Sequence, residues 1–102
     1  MSTKIHLGIE IMEKKFGPMT LGMFLQAFRE SDGQSQKNFA RKLGLSRANL
    51  CDLEKGRTLA SAERAAKIAK KMRVPAKLLI QLAIQDQLRS MKLNYTVHLK
   101  AG

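Results

Sequence analysis

Between residues 20 and 91 the apolar positions of this chain recur every three or four residues, in five separate runs. Leu21, Leu25 and Phe28 share one helical face with Thr20 placed to cap it, and "SDG" at 31–33 breaks the run. Ser35 opens a second, short helix with Phe39, Ala40 and Leu43 facing inward and Gly44 at its end. Ser46 opens a third, with Leu50 and Leu53 toward the core and Gly56 as its stop. Ser61 begins a fourth, whose apolar side is Ala65, Ile68, Ala69 and Met72. Pro75 suits the first turn of a fifth, which carries Leu78, Leu79, Leu82, Ile84, Leu88 and Met91.

The period changes at both ends. In "KIHLGIEI", residues 4–11, Ile5, Leu7, Ile9 and Ile11 alternate with Lys4, His6, Gly8 and Glu10. In "LNYTVHLK", residues 93–100, Leu93, Tyr95, Val97 and Leu99 alternate with polar residues in the same way. A period of two is that of a half-buried strand. One strand cannot satisfy its own backbone, and a two-stranded ribbon alone is marginal in water. The two segments are therefore expected to pair within the chain, across a dimer, or with a partner's sheet edge. The predicted fold is mainly α: a five-helix domain at 20–91, a strand-like extension at 1–19 and a C-terminal strand at 92–102 for dimerisation or partner binding. No repeat, low-complexity tract or Pro-rich linker divides it.

Charge narrows the function. The 102 residues hold 19 Lys and Arg against 8 Asp and Glu, a formal +11, and so basic a small domain points to nucleic acid or an anionic membrane. A membrane-surface helix needs an apolar face opposite a basic one, and the fifth helix has few basic residues. Binding of single-stranded RNA calls for exposed aromatics, yet Phe24, Phe28 and Phe39 look committed to inner faces. Cys51, His6 and His98 have no metal-ligand spacing, so no metal or cofactor is expected. A single Cys gives no disulfide framework and suits a reducing cytoplasm, with Cys51 inert. No apolar run reaches the ~18 residues of a membrane span, and the first residues lack a signal peptide's pattern, so a cytoplasmic location is expected. An enzyme is not expected, because no paired carboxylates, nucleophile–His arrangement or Gly-rich phosphate loop is present.

Residues 35–56, "SQKNFARKLGLSRANLCDLEKG", carry the chemistry. Two short helices with separate Ser caps flank "GLS", Ala40 permits close approach, and Gly44 can take the left-handed conformation. This is the pattern of a helix-turn-helix whose second helix fits a DNA major groove. Over residues 20–80, and most specifically in "SQ" at 35–36, "AxxLGLS" at 40–46, "LxxLEKG" at 50–56 and "KIA" at 67–69, the chain resembles the phage-repressor (Cro/C1-type, XRE) family. The resemblance implies a five-helix, lambda-repressor-like domain. Leu59–Ala60 departs from it where the family often has a Pro.

The resemblance also implies roles. Gln36, at the start of helix two, would bond a phosphate or an outer base. Arg47, Ala48, Asn49 and Asp52 would be read against bases: Arg47 can fork to guanine, Ala48 can touch a thymine methyl, Asn49 suits adenine, and Asp52 can accept from cytosine. Arg47 suits phosphate equally well, Asn49 a solvated position, and Asp52 the orientation of Arg47 or Lys55. Lys55 and Arg57 fall where the family grips phosphate, and Ser46 is expected to meet it too; Lys37, with Arg41 and Lys42, clusters beside the motif, which favours phosphate over an ordinary solvated face. Arg29 and Glu54 fall where the family often holds a buried, structural ion pair. The run Arg64, Lys67, Lys70, Lys71, Arg73 and Lys77 reads as a solvated face in preference to a second DNA site.

The function these readings favour is a sequence-specific repressor of double-stranded DNA, a homodimer on a palindromic operator, since one short helix contacts too few base pairs. The short extra tail resembles HigA-type antitoxins of type II toxin–antitoxin modules, which implies autorepression and a RelE/ParE-like toxin partner held by residues 92–100, by 4–11, or by both. No separate effector-sensing domain is expected after the fifth helix. A phage Cro-like repressor or a restriction–modification controller protein explains the motif equally well. A basic module for RNA or membrane surfaces is the reading from a different class.

Overall fold

The computed structural model describes residues 18–100. Five helices follow in order: α1 Leu21–Ser31, α2 Gln36–Leu43, α3 Arg47–Glu54, α4 Ala62–Met72 and α5 Ala76–Ser90. Thr20, Ser35, Ser46 and Ser61 each cap a helix, their hydroxyls accepting from the backbone N–H three residues on. These bonds satisfy amides that have no acceptor inside the helix. Pro75 takes the N-cap position of α5 and adds no side-chain bond.

α4 and α5 pack along each other; α1 packs on α3 and α5, and α2 on α3 and α4. Phe39, Leu21, Leu25, Leu50, Ile68 and Leu79 are the largest side chains sealed from solvent. Phe28 stands between Phe24 and Phe39, with ring centroids 6.2 Å from each, so the three phenylalanines form one cluster under the first three helices.

Two close approaches fix α1. Gly22 faces the end of α3, where a Cβ would lie 2.1 Å from the Leu53 carbonyl oxygen and 2.8 Å from that of Glu54. Only glycine permits that spacing. From α5, the buried Asp86 reaches back so that its Oδ2 accepts from the Leu21 N–H at 3.0 Å, while Oδ1 meets Arg89 at 3.2 Å. A carboxylate at a helix N-terminus also complements the helix dipole. Burial pushes the Asp86 carboxyl above the usual carboxylate range, opposed by the Leu21 N–H and by Arg89.

The ends differ from expectation. There is no β-strand among the described residues. Residues 93–100, including the expected strand face Leu93, Tyr95, Val97 and Leu99, run as a single extended segment beside α5. Its backbone is paired with side-chain amides: Gln85 donates to the Tyr95 carbonyl at 2.6 Å and accepts from the Val97 N–H at 2.8 Å, and Gln81 accepts from the Leu99 N–H at 3.2 Å. The period of two was therefore that of an extended chain whose alternate backbone groups turn to one side. Two glutamines one turn apart on a helix replace the neighbouring strand. Leu93 and Tyr95 are exposed, as is Met91, which the helical spacing placed on the core side. The expected N-terminal strand, with Ile5, Leu7 and Ile9, lies outside the described residues.

Candidate nucleic-acid interface

α2 and α3 are held at a fixed angle by what lies between them. Gly44 ends α2 at φ 71°, ψ 28°, its N–H donating to the Arg41 carbonyl, and Leu45 N–H returns to the Ala40 carbonyl at 2.9 Å. An L-residue is strained at such an angle. Ala40 is buried where the helices approach, and Leu50 and Leu53 anchor α3 beneath. The turn leaves Ser46, Arg47, Ala48 and Asn49 exposed together at the start of α3. The N–H groups of Arg47 and Ala48 begin the helix and have no acceptor within it, so they are aimed outward as donors.

At the other end of α3 a single carboxylate joins three helices. Glu54 is buried at the end of α3, its side chain 2% exposed. Arg29 of α1 clamps it with Nε at 2.8 Å from Oε2 and Nη2 at 3.2 Å from Oε1. Arg29 also donates through Nη1 to the Gln34 carbonyl before α2, at 3.0 Å. Gln36, at the start of α2, donates its amide to Glu54 Oε1 at 3.0 Å. The bonds to Glu54 hold the Arg29 guanidinium above its ordinary pKa, against the cost of burial. Paired this way, the charge is satisfied and geometrically specific.

The residues singled out from the sequence thus divide. Arg47, Ala48 and Asn49 share the outer surface of α3's first turn with Ser46, whose Oγ is occupied by the Asn49 N–H. Lys37 on α2 and Lys55 and Arg57 after α3 are exposed. Asp52 is half-buried and pairs with Arg57 at 3.4 Å, and its backbone carbonyl accepts from Arg57 N–H at 2.9 Å. Its carboxylate therefore orients Arg57, and neither Arg47 nor Lys55 is in that contact. Gln36 is partly drawn away from the surface: its amide nitrogen serves Glu54, and its amide oxygen is left as an acceptor. After α3, Ala60 is buried and its carbonyl accepts from Gln87 at 3.2 Å, so the loop that lacks the family's Pro is tied down from α5.

Other contributors escaped the sequence reading. Gly22 interrupts a helical pattern, which was a signal for close packing. Asp86 sits one turn after Leu82 on the core side of α5, where a carboxylate demands a partner. Nothing in the sequence marks Gln81 and Gln85 as a backbone clamp.

The arrangement, a capped short helix presenting polar and cationic groups over a rigid buried clamp, defines a protein of the helix-turn-helix class. A helix-turn-helix domain model matches residues 20–81, more than half of the chain, and the chain belongs to that family, in keeping with an XRE-like DNA-binding fold. No curated protein matches the chain. Among the described residues no helix is long and apolar enough to cross a membrane.

Proposed function

We propose that this chain is a sequence-specific regulator of double-stranded DNA that acts as a dimeric repressor, a binding module with no enzymatic step. The observation that carries the reading is the exposed group Arg47, Ala48 and Asn49 at the capped start of α3. It offers a bidentate donor, a methyl and an amide, the groups by which a major groove is read. Lys37 on α2 and Lys55 and Arg57 after the end of α3 are exposed for phosphate. Three residues of reading surface select too little sequence alone, so two copies on a palindrome, with half-sites about one helical turn apart, complete the site. Selection from random duplexes at moderate salt tests this. Enrichment of an inverted repeat is the expected result; recovery of unrelated sequences would overturn it.

The narrower assignment is an antitoxin acting in a bacterial or phage-infected cytoplasm, which represses its own operon and captures a RelE/ParE-like toxin. Its support is the resemblance of the domain plus the tail, where Leu93 and Tyr95 remain exposed on an extended segment. Co-purification of a small protein with the intact chain, lost on removal of residues 93–102, is the expected outcome. Repeated recovery of the chain alone would leave the regulator reading in place and remove the antitoxin.

A further inference from the structure

The charge on this molecule is not spread evenly. Among the described residues, α2 and α4 together carry seven cations and one carboxylate, Glu63; the remaining carboxylates lie on α1, on α3, on α5 or in the turn after α1. The four cations of α4, Arg64, Lys67, Lys70 and Lys71, line one groove. Glu63 spends its charge locally, 3.3 Å from Lys67 with both side chains largely exposed. Within α4, Arg64 and Lys67, Lys67 and Lys70, and Lys67 and Lys71 stand three or four residues apart, spacings at which like charges destabilise a helix in the absence of an anion.

Between the α2–α3 turn and α4 lies an open groove of about 430 Å³, walled by Leu43, Gly44 and Leu45 on one side and by Arg64, Lys67, Lys70 and Lys71 on the other, with Ser61, Ile68 and the carboxylate Glu63 completing its lining. Lys71 is fixed there: its Nζ donates to the Leu43 carbonyl at 3.4 Å, where a cation also suits the C-terminal dipole of α2. Gly44 makes room for it, because a Cβ would lie 2.5 Å from that nitrogen. An ammonium has three donors, so Lys71 keeps others for a ligand. From Arg64 to Lys71 the stripe runs roughly 10 Å at the helical rise.

We propose that this groove is a second phosphate-backbone surface, on which α4 grips the strand of the same duplex that flanks the bases read by α3. This inference rests on the DNA-binding reading and names a contact outside the helix-turn-helix pair. The position supports it: Leu45, which lines the groove, is followed immediately by Ser46 and Arg47 at the reading end of α3. Placing α3 in a major groove therefore carries a neighbouring backbone toward α4. A row of cations laid along one strand meets phosphates in place of base edges, so the contact adds affinity without sequence choice.

The test compares the parent chain with a triple variant, Arg64→Gln, Lys67→Gln and Lys70→Gln, which spares Lys71 and its bond to α2. Binding to the selected duplex and to a scrambled duplex is measured across salt concentrations, with thermal unfolding as the control for folding. Each lost phosphate contact lowers the slope of log K against log salt by ~0.9, so the expected decrease is about two to three. Affinity should fall by the same factor on both duplexes, and unfolding should stay close to that of the parent, because relieved repulsion offsets the loss of the exposed Glu63–Lys67 pair. An unchanged slope in a folded variant would overturn the proposal. So would an unchanged duplex slope accompanied by lost binding to single-stranded RNA or to anionic vesicles, which would assign the groove to another polyanion. A parent chain that binds DNA with no sequence preference defeats the regulator reading instead, and the slope on scrambled DNA still decides the groove.

Discussion

Replacing Arg29 by Met tests whether the Glu54 clamp organises the helix-turn-helix. The substitution keeps length and apolar stem but removes both bonds to Glu54 and the bond to the Gln34 carbonyl. Glu54 is left 2% exposed in its side chain, with only the Gln36 amide as a partner. Breaking a buried pair by deleting one member costs about 3–5 kcal/mol, a large share of the ~5–15 kcal/mol that holds a domain together. At ~4–8 °C per kcal/mol for a domain near this size, the melting temperature should fall by well over 10 °C. The double variant Arg29→Met with Glu54→Met removes the stranded charge as well, so it should recover most of that loss. It should also bind DNA less tightly than the parent, since Gln36 then loses the acceptor that ties the start of α2 to α3. Urea unfolding followed by helical circular dichroism gives both stabilities. A loss below about 1 kcal/mol in Arg29→Met, the range of an exposed pair, would refute the clamp. A double variant as unstable as the sum of the two singles would refute the reasoning about stranded charge.

Gly22→Ala gains helix propensity of ~1 kcal/mol yet forces a Cβ against the Leu53 and Glu54 carbonyls; thermal melts should show a net loss of at least the ~1–3 kcal/mol typical of overpacking. For Asp86 the raised folded-state pKa means that the folded protein binds the proton more tightly than the unfolded chain. Its contribution to stability therefore falls as pH rises from the ordinary carboxylate range through the raised value. Measured by urea unfolding from about pH 3 to pH 7, the stability of the parent relative to Asp86→Asn should decline over that window and then level off. Gln81→Ala with Gln85→Ala should release the tail, read as faster hydrogen exchange at the Val97 and Leu99 N–H groups with no change within α1–α4; unchanged exchange would remove the clamp.

The helical part of the fold was legible because its signals are local. Thr20, Ser35, Ser46 and Ser61 announce helix starts by their own hydroxyl chemistry, and Gly44 announces an end by its allowed backbone angles. The exposure of the first turn of α3 was legible for the same reason, since Ser46 to Asn49 must face outward once Leu50 and Leu53 turn inward. What distance along the chain conceals was less accessible. Gly22 is explained only by the α3 carbonyls, Asp86 only by the amide of Leu21, and Asp52 only by the return of Arg57. The tail shows a different limit. Alternation specifies an extended backbone, but an extended backbone is indifferent to whether its donors and acceptors come from another strand or from Gln81 and Gln85. Met91 was assigned to the core by extending the α5 pattern one residue past the end of the helix.

The central claim is that the first turn of α3 reads base sequence. It is tested most directly by measuring, at one salt concentration, the ratio of affinities for the selected and scrambled duplexes in the parent, in Arg47→Ala and in Lys55→Ala. A bidentate base contact is worth ~1–3 kcal/mol of discrimination, so Arg47→Ala should cut the ratio by roughly five- to 150-fold. Lys55→Ala should weaken both affinities equally and leave the ratio where it was. A ratio unaltered by Arg47→Ala, with both affinities lowered together, would contradict the account and make that arginine one more phosphate contact.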